Sequence, residues 1–258
     1  MVKVSVVMAF HNPGEYLKHS IDSIIKQNFN NFEIVLVDDG STDGSDRLIC
    51  HLDKSILKLI KNIHNKGLAY SLNSGIAIAE GEYIVRMDAD DIALPNRLMI
   101  LSNFLDDHPE IDVCGSARWI NNIGGKLANN VQGKISQYSF LKGNQLAHPT
   151  VIIRSNLFKE KKFRYAESYK SSQDYDLWSR MLDDANFYNL EVPLLIYREH
   201  ENQISAKKRL HQEINTFKIK SRLLKKFIFD LRCPLRYKLS YFLSINLIVK
   251  IIIKKIFL

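Results

Sequence analysis

The chain holds 258 residues, 46% of them hydrophobic, and carries a formal net charge of +8. That length and apolar content exclude a disordered chain and suit one large α/β domain, alone or with an appendage. The charge is uneven: from residue 207 onward 14 Lys and Arg face two acids, Glu213 and Asp230, while residues 1–206 hold 22 basic and 26 acidic side chains. A phosphate-binding face for nucleic acid is therefore not expected on the body of the chain.

The first hundred residues alternate apolar β-type runs with helical patterns. Strands are expected at residues 4–9, 33–37, 57–60 and 83–87, with helices at 16–27, 46–52 and 68–79 between them. This order implies a parallel sheet buried on both faces, with ligands beyond the strand C-termini. Three polar clusters fall at those ends: His11-Asn12, the run Asp38-Asp39-Gly40-Ser41-Thr42-Asp43, and Asp88-Ala89-Asp90-Asp91. Further on, a helix is expected at 96–105, a Gly/Asn-rich loop at 121–133, a strand at 148–154, a helix at 174–182 and a strand at 194–197. The closing run LSYFLSINLIVKIIIKKIFL contains Lys250, Lys254 and Lys255, which suits an interfacial amphipathic helix better than a membrane span. The apolar start, residues 2–8, reads as a core strand and not a leader. Cys50, Cys114 and Cys233 are widely spaced, so neither a zinc site nor a disulfide framework is expected and a reducing cytoplasm fits.

YIVRMDADD, residues 83–91, places three carboxylates within four residues after a buried strand. Crowding like charges costs stability unless a cation, donors or a shared proton relieves it. Asp88 and Asp90, at i and i+2, can turn to one side and share a hard divalent cation, Mg²⁺ or Mn²⁺, whose remaining positions go to water and substrate phosphates. The competing reading makes Asp91 a cap for the helix near Pro95 and leaves the others as solvated turn residues. In the second cluster, Gly40 and Gly44 permit tight turns while the side chains could accept from a ribose hydroxyl or a base N–H. Thr42 or Asp43 could equally cap the next helix.

At this point a resemblance becomes specific. VSVVMAFHNPGEYLKHSIDSIIKQNFNNFEIVLVDDGSTDGS, then NKGLAYSLNSGIAIAEGEYIVRMDADD, then QDYDLW strongly resemble the bacterial family 2 glycosyltransferases of GT-A fold. The likeness runs over roughly residues 3 to 205. It implies a mixed, mainly parallel α/β sheet with flanking helices, divided into a nucleotide-binding half (1–91) and an acceptor-binding half (92–205). Residues 206–258 follow as a basic amphipathic helical tail. It also implies inverting transfer of a sugar from a nucleotide-diphosphate donor, with UDP expected by family frequency, to a glycan or lipid-linked oligosaccharide in surface polysaccharide synthesis. The expected location is the cytoplasmic face of the membrane, touched peripherally through the tail.

Carried over by position, Ala9, Phe10, Asn12 and Glu15 match the block that lines the nucleotide pocket. Asp39 matches the acid on the base or ribose, supported by Asp38, and Lys66, Gly67 and Asn73 match the block flanking nucleotide and diphosphate. Asp88 and Ala89 fall on the donor side of the DXD motif, and Asp90 is the expected metal ligand. Asp174 matches the catalytic base. His200 is expected to complete the metal or diphosphate site, against the alternative of a surface histidine in a return loop. His11 stands where Tyr is usual and Gln173 where an acid is common. The QXXRW motif of processive synthases is absent, which implies one sugar per encounter.

Chemically, a sugar hydroxyl needs a base as its bond to the anomeric carbon forms, and Asp174 beside apolar Tyr175 and Trp178 could hold a proton more tightly than usual. Its local alternative is a helix N-cap. His148 with Pro149 is expected to shape an acceptor-side strand. Trp119 and Trp178 could stack on sugars or simply pack. Rival enzymes fit less well. Asp38 and Asp39 are adjacent and so miss the DXDGT spacing of a phosphatase or phosphotransferase loop. A nucleotidyltransferase would carry a Gly-rich, Arg-containing first loop where AFHNPGEYL stands, and a glycosidase would need no nucleotide blocks. A non-enzymatic nucleic-acid- or membrane-binding module would account for the basic tail alone; there anionic lipid, or a protein partner, explains Lys interleaved with Phe, Leu and Ile better than nucleic acid.

Overall fold

The computed structural model describes residues 2–49, 52–128, 131–200 and 209–239. Four strands, β1 (Val4–Phe10), β2 (Phe32–Asp38), β3 (Leu57–Lys61) and β4 (Tyr83–Arg86), pair in parallel in the order β3-β2-β1-β4. Every residue of β1 is buried, because its neighbours are strands on both sides and helices cover both faces. Alternate side chains serve the two faces: Val7 and Ala9 pack with Leu72 and Ile76 of α2 (Leu68–Ile78), whereas Val4, Val6 and Met8 pack with Leu17, Ile21 and Ile24 of α1 (Tyr16–Ile25). That is why the strand reads as an apolar run interrupted only by Ser5, whose hydroxyl donates to Glu33.

The second half makes the sheet mixed. Short β5 (Ile92–Ala93) and α3 (Arg97–Asp107) lead into β6 (Val113–Ile120), β7 (Lys126–Ala128) and β8 (Gly133–Ile135). After them come β9 (Ile152–Arg154), α4 (Asn156–Lys159), α5 (Gln173–Met181), β10 (Phe187–Tyr197) and α6 (Arg209–Phe227). The sheet continues β4-β9-β6-β10-β5, with β9 antiparallel to both neighbours, β10 parallel to β6, and β5 antiparallel to β10; β7 and β8 attach as antiparallel edges to β6 and β10.

Several elements differ from the sequence reading. The helix expected at 46–52 is a 3-10 turn, Ser45–Ile49. The strand expected at 148–154 begins as a 3-10 turn, His148–Thr150, because Pro149 has no N–H for a ladder, and becomes β9 only from Ile152. The 121–133 loop contains β7. Strand β10 starts seven residues before the expected 194, bulging on either side of Pro193 so that a residue without a donor is accommodated.

Helix α6 packs into the body: Ile219, Leu223, Leu224 and Phe227 belong to the same core cluster as Trp178 and Phe187. Among the described residues no helix is long and apolar enough to cross a membrane. The amphipathic segment expected at the end of the chain lies, from residue 240 on, outside the described residues.

Candidate active site

The registers Phe10 to Asp38, Asp38 to Lys61 and Val7 to Arg86 bring four strand ends to one edge, so the loops that follow them meet there. Asp39 is the brace. Its Oδ1 accepts from the Lys66 N–H (2.9 Å) and Asn62 Nδ2 (2.8 Å), and its Oδ2 from the Gly67 N–H (2.8 Å). Burial alone would raise its proton affinity, yet these donors hold the carboxyl below its ordinary range. A carboxylate has about four acceptor positions; the Ser71 hydroxyl is a further donor to this one, so the carboxyl is fully engaged in holding the loops.

The other loops are laced to it. His11 Nδ1 lies 3.0 Å from the Asp39 carbonyl oxygen, Asn12 Oδ1 accepts from the Thr42 N–H (2.7 Å), and Asp43 accepts from Gly14 N–H (2.9 Å) and Ser45 N–H (3.0 Å). Asp43 thus caps the 3-10 turn, while Asp38 Oδ1 takes the Ser41 N–H (2.8 Å). Ala9 and Phe10 are buried beneath the loops, and Glu15 is exposed where α1 begins, making no side-chain cap. Lys66 Nζ turns onto the Tyr70 hydroxyl (3.0 Å). Asn73 is clamped to the backbone of Tyr165, donating to its carbonyl and accepting from its N–H at 2.9 Å each, which fixes the orientation of its amide and uses one of its two donors and one of its two acceptor positions.

At the end of β4, oxygens of Asp88, Asp90 and Asp91 lie within 4.8 Å of one another. Asp88 pairs with the buried Arg86 guanidinium. Asp90 Oδ2 lies 2.8 Å from His200 Nε2, and Asp91 Oδ1 accepts from the Arg198 N–H at 3.1 Å. Asp91 Oδ2 is buried and has no hydrogen-bond partner among the described residues. Burial first, and then the neighbouring carboxylates, push Asp90 up and Asp91 well above the ordinary carboxylate value. Three crowded oxygens and one orphaned acceptor fit a hard divalent cation. Capping does not explain Asp91, for α3 starts after Asn96 with no side-chain cap.

Beneath the trio, buried Arg97 donates to the carbonyls of Arg86 and Pro149, 2.7 Å each; burial lowers its pKa to about 9, and it remains cationic at neutral pH. His200 stacks on Tyr16, centroids 4.8 Å apart and planes at 14°. The Arg198 guanidinium lies over the same Tyr16 ring at 4.8 Å, and its Nε donates to the Asp90 carbonyl. Arg86, Arg97, Arg198 and Tyr16 were not singled out by sequence reading. A legible signal existed for the first, since a charge inside the fully buried strand Tyr83–Arg86 needs a partner.

Asp174 is the second residue of α5, where helix N–H groups favour a carboxylate. Burial nonetheless raises its proton affinity, against the Tyr175 N–H, the Arg86 charge and Asn144, whose Nδ2 donates to Asp174 Oδ2 at 2.6 Å. Tyr165 feels the charges of Arg86, Asp174 and Asp88, and the Arg86 guanidinium that pairs with Asp88 also favours the ionised form of Asp174. Tyr165 also shares a 2.7 Å hydrogen bond with His148 Nε2; burial and Arg86 keep that imidazole neutral. Trp178 is completely buried, edge-on to His148 and Phe187 at 6.3 Å, and is a packing residue. Trp119 is half-buried on β6.

Residues 5–163 match the family model described as "Glycosyl transferase family 2". The chain is 34% identical over 214 residues to the glycosyltransferase EpsE of Bacillus subtilis, covering 80% of this chain and 76% of that one. It is 30% identical to the Escherichia coli UDP-Glc:alpha-D-GlcNAc-diphosphoundecaprenol beta-1,3-glucosyltransferase WfgD, covering 80% of each. Its fold is similar to that of Staphylococcus aureus TarS residues 1–349, solved in complex with UDP-GlcNAc, with a TM-score of 0.71 and 20% identity over 94% of this chain and 79% of that one.

Proposed function

Because this chain belongs to glycosyl transferase family 2, we propose that it moves a sugar, with inversion, from a nucleotide-diphosphate donor to a glycan or lipid-linked oligosaccharide acceptor during surface polysaccharide synthesis. UDP is the donor nucleotide we infer; TarS was solved with UDP-GlcNAc and the WfgD name gives a UDP-sugar donor and a diphosphoundecaprenol acceptor. The observation that carries the reading is the acidic trio set against a second, separately held carboxyl, Asp174, with Arg86 common to both.

In this reading the loops braced by Asp39 receive the nucleoside, in a pocket floored by Ala9 and Phe10 and edged by Asn12, Glu15, Lys66, Gly67 and Asn73. Asp88 and Ala89 meet the donor side. Asp90 with His200 would hold Mn²⁺ or Mg²⁺, which when bound supplies positive charge to the leaving diphosphate. Asp174 takes the acceptor hydroxyl proton as the new O–C bond forms and the bond to the diphosphate breaks. A carboxyl whose proton affinity is raised by burial suits that task. The covered Trp178 and Tyr175 beside it exclude water.

The region after α6 supports peripheral contact with the cytoplasmic membrane face: Phe229 and Leu231 are 90% and 98% exposed, among Lys225, Arg232 and Arg236. Thermal denaturation with UDP, UDP-sugars and Mn²⁺ tests the donor site, because a ligand of the folded state raises the melting temperature. The rise should vanish in Asp90→Ala. Asp174→Asn should keep the rise and lose turnover about 10²- to 10⁴-fold; full turnover in that variant rules Asp174 out as the base.

A further inference from the structure

Asp174 has a dedicated companion. Asn144 Nδ2 donates to Asp174 Oδ2 at 2.6 Å, while Asn144 Oδ1 accepts from the Leu146 N–H at 3.3 Å. The second bond fixes the sense of the first: with the carbonyl end of the amide turned to Leu146, its NH₂ end faces the carboxyl. The loop bearing Asn144 is itself pinned. Gln145 Nε2 donates to the Ser139 and Gly143 carbonyls at 3.0 and 2.6 Å, and Tyr175, next to Asp174, donates its hydroxyl to the Phe140 carbonyl. Two successive residues of α5 therefore hold this loop from one side.

We propose that Asn144 is a positioning residue for the general base: it engages Oδ2, stops the carboxyl from rotating, and leaves Oδ1 to receive the acceptor's proton. The proposal rests on the reading of Asp174 as that base. In the step, the hydroxyl O–H bond breaks toward Oδ1 as its oxygen bonds the anomeric carbon, and the electron pair of the broken C–O bond leaves with the nucleoside diphosphate.

An amide N–H stabilises a carboxylate more than a neutral acid, so Asn144 works against burial. The other groups facing Asp174 are few. Arg86, from the end of β4, also favours the charged form, and Tyr165, from the loop before α5, is pushed upward and stays neutral. On α5 itself Asp176 turns away to Arg180 and Arg222, at 2.9 and 2.8 Å. Without Asn144, Arg86 and the local backbone are what remains among the described residues to hold the anion.

The test is a pH titration of the Asp174 side-chain ¹³C resonance in the full chain, assigned by its loss in Asp174→Asn, for wild type, Asn144→Ala and the near-isosteric Asn144→Asp. Proton affinity should rise about 3- to 10-fold in Asn144→Ala and further in Asn144→Asp, where a second carboxylate crowds the first. The acid limb of kcat/KM should move by the same interval, with donor KM unchanged. An unchanged midpoint in both variants overturns the proposal, even where Asp174→Asn has lost turnover and the base stands. If Asp174→Asn keeps full turnover, the base reading and the proposal built on it both fall, whatever the midpoints show.

Discussion

Replacing Asp39 by Asn changes one oxygen into an NH₂ group at nearly constant shape. In the native protein Oδ1 takes two donors and Oδ2 takes the Gly67 N–H. Whichever way the new amide turns, its NH₂ meets at least one backbone N–H, and the charge that strengthened the other bonds is gone. Asp39 is only 4% exposed, so water does not substitute. Hydrogen bonds to a charged group are worth ~1.5–3 kcal/mol and an unmet buried donor costs ~1–3 kcal/mol. With non-additivity allowed for, the variant should lose about 3 kcal/mol, or roughly 6–12 °C in melting temperature for a domain of this size. The pH dependence identifies the cause. The carboxyl's folded proton affinity lies below its unfolded one, so its contribution is complete above an unfolded pKa of about 3.9. It is lost as pH falls through the lower folded value. Urea denaturation should therefore show a constant gap between wild type and Asp39→Asn near neutrality that closes in acid. Equal stability at neutral pH, or a gap that widens in acid, would refute the brace.

Gly40 and Gly44 share a left-handed backbone, φ +73° and +78°, but a Cβ on Gly40 would come within 2.7–2.9 Å of the His64 and Asn65 backbone while one on Gly44 meets open space. Ala at 44 should cost about 1 kcal/mol, and Ala at 40 about 2 kcal/mol or more because two loops must separate; equal losses on chemical denaturation would contradict the close approach. Ending the chain at residue 208 removes four buried apolar side chains of α6, Ile219, Leu223, Leu224 and Phe227. At ~1.5–3 kcal/mol each, that is on the order of the whole stability of a domain, and circular dichroism should find the remainder unfolded. A truncated protein that melts like the full chain would show the helix to be dispensable.

Where the physics was local, the chain was readable. The runs 4–9, 33–37 and 83–87 are buried on both faces, so all but one side chain in each (Ser5, Glu33 and Arg86) is apolar, and the acids beyond them stand out by contrast. Strand β6 escaped because its sequence, VCGSARWI, mixes Gly115, Ser116 and Arg118 into a buried strand. Its Gly115 fits because a Cβ would lie 2.5 Å from Asn189 Oδ1 on β10, a contact made by chain segments more than seventy residues apart. Asn144 was likewise invisible, since its meaning depends on a thirty-residue separation from Asp174. The repulsion within Asp88-Ala89-Asp90-Asp91 was plain in the sequence, and His200 was expected beside it; that Arg198 arrives from the end of β10 to answer Asp91 was not.

Helix α6 grips the head of α5 at three points: Asn215 donates to the Ser171 carbonyl at 3.0 Å, the Ser172 hydroxyl donates to the Gln212 carbonyl at 3.3 Å, and Arg222 reaches Asp176. Those contacts bracket Asp174, while the exposed Phe229 and Leu231 follow just beyond the other end of the helix. Any displacement of α6 is therefore felt first at the opening turn of α5, the turn that carries Asp174.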